Sequence, residues 1–305
     1  MSSAQRLFFS VVIPTYNRSE MIIETIKSVQ NQTFKDWECI IVDDGSTDNT
    51  KSIIEDLIKQ DSRIKYVYQE NAERSAARNN GILNSSGEYI CFLDSDDHFL
   101  SNHLQELKNV IETIEDKTCM IVNEMQIIEG SRVEVSNLPE LSKNRIEYLY
   151  VNPLTPSRVC IHKKIAELEQ FDEDIVIVED RILWMRIANR FPVYISNHIG
   201  VTYNIHADNS VNLKGNGAHK TYQGVQLGMK RYPLIFNCIS KKAKDDMNVR
   251  VQTNIAYHYF LNGFKAKAVF WLVKAILTAP LHSQTKMRVY QICLILLGKN
   301  LKLAY

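Results

Sequence analysis

The sequence predicts an α/β fold: a mainly parallel β-sheet flanked by helices, followed by a C-terminal helical appendage. Three observations predict it. Over roughly the first hundred residues, short β-branched runs alternate with stretches of helical periodicity, the mark of βαβ units and a parallel sheet. From about residue 118 shorter strand-like runs follow less regularly. After about residue 216 only helical patterns remain.

Phe9–Pro14 (FSVVIP) reads as a buried strand, and Met21, Ile22, Thr25, Ile26 and Val29 then recur at helical spacing. Glu38–Asp43 (ECIIVD) is a second strand. Ser46–Thr50 supplies capping residues for a helix striped by Ile53, Ile54, Leu57 and Ile58. Ile64–Tyr68 is a third strand, and residues 73–84 read as a helix ending near Ser85-Ser86-Gly87. Glu88–Leu93 (EYICFL) is a fourth strand, and Leu104, Leu107, Val110, Ile111 and Ile114 mark the next helix. Short strands are expected at 119–123, 158–162, 193–197 and 199–205. A helix is expected at 179–191, with Leu183, Trp184, Ile187, Ala188 and Phe191 on one face. A boundary is expected near 210–216, where Asn, Gly and Lys accumulate.

Composition excludes several classes. Of 305 residues, 45% are hydrophobic and 23% charged, which fits a soluble globular protein and not a fibrous or wholly disordered one. The net charge of +1 predicts no nucleic-acid partner. It conceals a split: residues 241–305 hold eleven Lys/Arg against two acids, or +9, and residues 1–240 hold twenty-five against thirty-three, or −8. The six cysteines form no CxxC pair, so no zinc knuckle or redox motif is expected, and they read as small core residues in a reducing compartment. Met1–Phe9 lacks the apolar stretch of a signal peptide, and no uncharged run reaches the ~18–20 residues of a membrane span. The expected location is the cytoplasm.

Parallel sheets bind ligands at the carboxyl ends of their strands. After the first strand comes Pro14-Thr15-Tyr16-Asn17, after the second Asp43-Asp44-Gly45-Ser46, and after the fourth Asp94-Ser95-Asp96-Asp97. Five carboxylates are thus expected on one rim: Asp43, Asp44, Asp94, Asp96 and Asp97. That much like charge calls for a cation. A hard divalent ion, Mn²⁺ or Mg²⁺, would also recruit phosphate. For Asp43-Asp44 alone, turn and helix-cap chemistry is an equal reading. For three carboxylates in four positions it is a weaker one. GxGxxG and Walker A loops are absent, so phosphate recognition would fall to metal and arginine. Arg74 and Arg78 precede the fourth strand, and for Arg74 a solvated helix face is the plainer reading.

The pieces VVIPTYN (11–17), SVQNQTF (28–34), IIVDDGSTD (40–48), AARNNGI (76–82) and GEYICFLDSDD (87–97) stand in one order and spacing. Together they resemble the nucleotide-sugar-binding half of a family 2 glycosyltransferase of the GT-A fold. Glu179-Asp180, with LWMRIA (183–188) downstream, is similar to that family's ED motif. YNIHADNSVN (203–212) looks like its tyrosine-to-histidine segment. The resemblance covers roughly two thirds of the chain and is silent on residues 216–305.

The resemblance implies a GT-A domain over 1–212, with a nucleotide-sugar-binding half at 1–98 and an acceptor half at 99–212, then a helical region at 213–305. It implies that Tyr16 stacks on the nucleotide base, with Pro14 and Thr15 shaping that wall. Asp44 would accept from the base, with Asp43 near it, and Arg78 would face the nucleotide or its phosphates. Asp94 and Asp96 match the DxD pair: Asp96 would ligate the metal, and Asp94 would bridge to ribose or to the metal's waters. Asp97 is left without a firm role. His206 would approach the metal or diphosphate. Asp180 would be the catalytic base. Its place at the start of an amphipathic helix, after the apolar run Ile175–Val178, puts a carboxylate on a rim. The competing reading is an acid complementing the helix dipole. The implied enzyme is an inverting hexosyltransferase-type glycosyltransferase using a UDP-linked donor and a glycan or lipid-linked glycan acceptor. The QxxRW motif and membrane spans of processive relatives are absent, so one sugar per visit is expected.

Two rivals stand beside it. A sugar-nucleotide pyrophosphorylase would carry a Gly-rich phosphate loop, which residues 10–30 lack. A catalytically silent nucleotide-sugar-binding scaffold would not need the full set of acids. The basic tail adds one more expectation. Ala268–Ala279 and Val289–Leu297 are apolar runs flanked by Lys and Arg, suited to an anionic membrane surface at the inner face of the cell membrane. The alternative is that both runs simply pack on a core.

Overall fold

The computed structural model describes residues 7–206 and 216–297, and the chain divides into two compact units, Met1–His206 and Ala207–Tyr305. The expected boundary near 210–216 falls largely outside the described residues.

In the first unit, β1 (Phe9–Thr15) and β2 (Trp37–Asp44) are buried along their whole lengths. That is why they read as continuous apolar runs: a parallel strand covered on both faces has no polar side to show. Between them α1 (Ile22–Gln30) buries Ile22, Thr25, Ile26 and Val29. Then follow α2 (Thr50–Ile58), β3 (Ile64–Gln69), α3 (Glu73–Leu83), β4 (Tyr89–Phe92), β5 (His98–Phe99) and α4 (His103–Thr113). The remainder comprises β6 (Met120–Glu129), β7 (Arg132–Ser136), α5 (Arg145–Val151), a 3-10 turn (Pro156–Arg158), β8 (Val159–His162), α6 (Lys163–Leu168), α7 (Glu179–Arg190) and β9 (Val193–Asn204).

Among the described residues nine strands form one sheet in the order β3-β2-β1-β4-β8-β6-β9-β5, with β7 paired to β6. The first four are parallel. β8 runs antiparallel to both β4 and β6, β6 and β9 are parallel, and β5 and β7 add antiparallel edges. The parallel block is the βαβ part read from sequence. Antiparallel pairs need no helical crossover, so the irregular half leaves a weaker pattern. The expected strands at 193–197 and 199–205 are one strand, β9, broken by register shifts opposite Asn123 and Glu124.

Alternation along β1 sorts the packing. Phe9, Val11 and Ile13 join the core that includes Ile26, Cys39 and Leu104. On the other face Ile40, Val42 and Ala77 form a smaller cluster beneath α3. α3 lies close because position 81 is glycine: a Cβ there would stand 2.2 Å from Val12 Cγ1.

The second unit contains α8 (Gly217–Arg231), α9 (Pro233–Asn237), α10 (Lys241–Leu261), α11 (Lys265–Thr278) and α12 (Thr285–Leu296). Ala256, Ala268, Leu272 and Ile295 make its small core. Among the described residues no helix is long and apolar enough to cross a membrane. The cysteine expectation needs correction: Cys39, Cys91, Cys119 and Cys160 are buried, but Cys238 and Cys293 in this helical unit are exposed. Its core is too small to cover every apolar position.

Candidate active site

β1, β2 and β4 run in one direction, so the segments after Thr15, Asp44 and Phe92 emerge on one rim. Tyr16 stands there 48% exposed, with ring surface available for stacking. Pro14 and Thr15, which precede it, are buried, and Thr15 Oγ1 has no hydrogen-bond partner among the described residues. Asn17 takes the left-handed φ of 50°. Its N–H donates to Ser46 Oγ at 2.9 Å and its Oδ1 accepts from Thr47 N at 2.8 Å. The loop after β1 is thereby stitched to the loop after β2.

Asp43 and Asp44 serve that stitching. Asp43 is fully buried; Oδ1 accepts from Ser46 N at 2.9 Å and Oδ2 from the Tyr66 hydroxyl at 2.7 Å. Asp44 Oδ1 accepts from Gln69 Nε2 at 2.7 Å and Ala72 N at 2.9 Å. Turn chemistry thus accounts for much of what this pair does, and the five carboxylates do not form one open ring.

The Asp94–Asp97 turn is closed by Asp97 N donating to Asp94 O at 3.0 Å. Ser157, from the 3-10 turn, holds both ends. Its Oγ accepts from Asp94 N at 3.1 Å and donates to Asp97 Oδ2 at 2.7 Å. Thr25 of α1 donates to Ser95 O at 3.0 Å. Asp97 is 1% exposed, and burial, with Asp94 and Asp96 beside it, pushes its carboxyl well above the usual range. Asp97 is a buried post of the turn, while Asp94 and Asp96 keep 26% and 16% side-chain exposure.

The AARNNGI segment becomes a hub on α3. Arg78 is 3% exposed; Nη1 donates to Glu179 Oε1 at 3.0 Å and Nη2 to Asp94 Oδ1 at 2.7 Å. Burial alone would disfavour its charge, but Asp94 and Glu179 outweigh that and hold it protonated. Arg78, expected to face the nucleotide or its phosphates, bridges the Asp94–Asp97 turn and the start of α7. Asn79 exchanges two 3.0 Å hydrogen bonds with the Phe171 backbone, fixing the segment that leads to α7. Asn80 donates to Gln69 Oε1 at 2.8 Å, and Gln69 is the donor on Asp44.

α7 begins under strain. Val178 has φ 69°, a left-handed conformation costly for a β-branched residue and characteristic of positions held by function. Glu179 is buried, and burial with Asp180 beside it raises its pKa to about 7. Asp180 is only half-buried by surface area. Its carboxyl is raised by burial and by Asp94, partly offset by Arg181 and Arg78. Asp180, Asp94 and Arg78 thus share one electrostatic environment.

His206 closes the rim. Its Nε2 lies 3.1 Å from Asp96 Oδ2, Asn204 Nδ2 donates to Asp96 O at 2.9 Å, and Arg18 Nη2 lies 3.7 Å from Asp96 Oδ2. Residues 207–212 of the YNIHADNSVN segment lie outside the described residues. Among the described residues no three His, Cys, Asp or Glu side chains already converge at metal-ligating spacing. Asp96 and His206 supply an oxygen and a nitrogen donor of kinds a divalent ion accepts, here in hydrogen-bond contact with each other at 3.1 Å.

Ser157 carried no sequence signal, lying in the irregular half. Glu179, Arg18 and Asn204 stood inside or beside quoted motifs, but their partners are distant in sequence and only the fold shows them.

The family model for "Glycosyl transferase family 2" matches residues 10–177. A GalNAc(5)-diNAcBac-PP-undecaprenol beta-1,3-glucosyltransferase of Campylobacter jejuni is 32% identical over 244 residues, covering 77% of this chain and 76% of that protein. Among solved structures, S. aureus TarS 1-349 in complex with UDP-GlcNAc superposes with TM-score 0.64 at 19% identity, covering 97% of this chain and 93% of that one. The mannosyltransferase PcManGT of Pyrobaculum calidifontis, in complex with GDP-Man and Mn²⁺, does so with TM-score 0.60 at 16% identity, covering 97% and 89%. These structures share the GT-A-like architecture. With the matched segment running from β1 to the approach of α7, the chain belongs to glycosyl transferase family 2 and is a glycosyltransferase.

Proposed function

We propose that the protein transfers one sugar from a UDP-linked donor to a hydroxyl of a lipid-linked glycan, inverting the anomeric configuration, with Asp180 as base. The observation that supports it is the Asp94–Arg78–Glu179 brace, which ties the turn after β4 to the start of α7, where Asp180 follows Glu179 and feels the charge of Asp94. Tyr16 would stack on the uracil, with Pro14 and Thr15 behind it and Asp43-Asp44 shaping the loop at its edge. Asp96 and His206 would hold a divalent cation, with Asp94 contacting ribose or the cation's waters. Such an ion, when bound, would neutralise charge on the diphosphate. The raised pKa of Asp180 makes it a stronger base than an ordinary aspartate. Its carboxylate takes the proton from the acceptor hydroxyl. That oxygen forms the new bond to the anomeric carbon from the face opposite the diphosphate. The bond to the diphosphate breaks, and its electron pair leaves with the nucleotide.

UDP is favoured by the TarS structure solved with UDP-GlcNAc, and a lipid-linked acceptor by the undecaprenyl diphosphate in the Campylobacter relative's name. A membrane-bound acceptor gives the basic helices a use. α11 buries Ala268, Leu272 and Ala275 on one side and exposes Phe270, Val273 and Leu277 on another, beside exposed Lys265 and Lys267. This second face suits the cytoplasmic surface of an anionic membrane. A nucleotide-sugar panel, scored for product with and without chelator, tests the reading. Cation-dependent consumption of UDP-sugars in preference to GDP- and dTDP-sugars is the expected result. Transfer from another nucleotide class would overturn the donor assignment.

A further inference from the structure

The second unit contains a buried arginine with no acid beside it among the described residues. Arg288 of α12 is 1% exposed. Its Nε donates to Thr253 Oγ1 at 2.9 Å and its Nη2 to Gln284 Oε1 at 2.9 Å. Its Nη1 lies 3.4 Å from His282 Nδ1, which also accepts from Gln284 N at 3.1 Å. None of these partners is an anion. Asp246 is engaged elsewhere, with Lys242 at 2.8 Å and His282 Nε2 at 3.2 Å. Burial acts against the charge of the Arg288 guanidinium, and no carboxylate among the described residues offsets it. The contrast with Arg78, equally deep but held by two carboxylates, is plain. An uncompensated buried guanidinium is costly and stays protonated, so it calls for an anion.

There is room for one. Arg288 lines a cavity of about 170 Å³ with Arg250, Asn254, Tyr257 and Gln291. A single water needs only ~10–15 Å³. Arg250 is a second cation on this cavity without an ion pair among the described residues; its Nη2 donates to Met247 Sδ at 3.3 Å. Gln291 Oε1 is buried with no hydrogen-bond partner among the described residues, and rotating that amide by half a turn would present an N–H donor there.

We propose that this cavity binds a phosphoryl group. Two guanidinium forks match the oxygens of a phosphate, and their two charges match its dianion better than a single carboxylate. Tyr257 and Asn254 add neutral donors. The group is either free phosphate or the headgroup of a phosphorylated lipid. The proposal does not depend on the donor chemistry assigned to Asp96 and Asp180.

Met287 lines the same cavity and provides a local probe. The full chain, labelled at its methionine methyls and kept in chelator, is titrated with inorganic phosphate. It is then titrated with phosphatidylcholine vesicles containing or lacking phosphatidic acid. Movement of the Met287 resonance with phosphate assigns the site to the free ion; movement only with phosphatidic acid assigns it to a lipid headgroup. Arg250→Ala should weaken either response about tenfold or more, the size of one charge-assisted hydrogen bond. Arg288→Met should abolish the response while leaving the ligand-free protein at least as heat-stable as wild type, because an unpaired buried charge has gone. If Arg288→Met unfolds, Arg250→Ala decides alone. A Met287 resonance unmoved by both probes, or a response unchanged in Arg250→Ala, overturns the proposal.

Discussion

Replacing Gly81 with Ala tests how the site is held. The new Cβ would meet Val12 Cγ1 at 2.2 Å, with Cγ2 at 3.2 Å and Cβ at 3.3 Å, all inside the 3.4 Å of ordinary contact. Rotating Val12 would have to swing Cγ1 away from α3 inside a fully buried site, and its Cβ at 3.3 Å would still be tight. Val12 itself is fixed, paired to Ile40 on one side and Phe92 on the other. With Val12 held in its present rotamer by the packed core, α3 moves outward by about 1 Å to recover contact distance. Arg78 lies one turn earlier on the same helix, so its 2.7 Å and 3.0 Å bonds to Asp94 and Glu179 stretch past hydrogen-bonding range. Overpacking of this kind costs about 1–3 kcal/mol, or ~2–4 °C in melting temperature per kcal/mol for a unit of this size. A misplacement of about 1 Å in the catalytic groups costs on the order of 10²-fold in rate. Calorimetry and steady-state transfer assays read the two losses separately. Gly130→Ala is the control: it has positive φ but nothing within 4 Å of its Cβ, so it should lose some stability and no activity. A Gly81→Ala protein with wild-type turnover would show that the α3 brace does not position the site.

Asp180→Asn keeps the shape and removes the base, so transfer should fall by about 10²–10⁴-fold with donor affinity unchanged; normal transfer at saturating donor would move Asp180 from chemistry to binding. Asp96→Ala should abolish cation-dependent UDP binding while the melting temperature holds, since the rim carboxylate supports no core; near-normal turnover in chelator would remove Asp96 from the metal site. The rate should rise with pH through a limb above the ordinary aspartate value of 3.8, because Asp180 works deprotonated and its pKa is raised, and a limb below that value would contradict the burial argument. Glu179 is raised from 4.5 to about 7, so its contribution to stability is present below the unfolded value and lost as pH climbs through the folded one; Glu179→Gln should flatten that slope in pH-dependent melting. Full-length protein should float with anionic but not neutral vesicles and release with salt, with ~1 kcal/mol per engaged Lys or Arg, and Leu277→Asp should weaken flotation; indifference to anionic vesicles at low salt would end the membrane assignment.

The parallel half of the fold was legible because burial on both sheet faces leaves apolar runs that only a strand explains, as in β1 and β2. The half built from β6, β8 and β9 was harder to read. Exposed positions on β7 and a bulge in β9 break the alternation that marks a strand. The two-residue β5 is too short to have a period at all. The short α5 and α6 are set by local caps, Asn144 accepting from Glu147 N and His162 from Lys164 N, rather than by a long apolar stripe.

The site residues divide along a related line. Asp94 and Asp96 stood out in the sequence as part of a carboxylate cluster after a strand, whereas Asp180 was singled out by the family resemblance, its place at a helix start alone fitting dipole complementation as well. What each one does depends on partners that sequence spacing does not reveal. Arg78 reaches Glu179 across 101 positions, and His206 reaches Asp96 across 110. The resemblance pointed Arg78 at the nucleotide or its phosphates; the structure shows it 3% exposed, with Nη1 on Glu179 and Nη2 on Asp94. An arginine so placed acts on the chemistry indirectly. It lowers the cost of holding Asp94, Glu179 and Asp180 close together, and without it their mutual repulsion would favour protonation or separation. If Asp180 is the base proposed above, this brace is what lets it stay charged in a half-buried place, and Arg18, 25% exposed beside Asp96, is the arginine on this rim with surface to offer a phosphate.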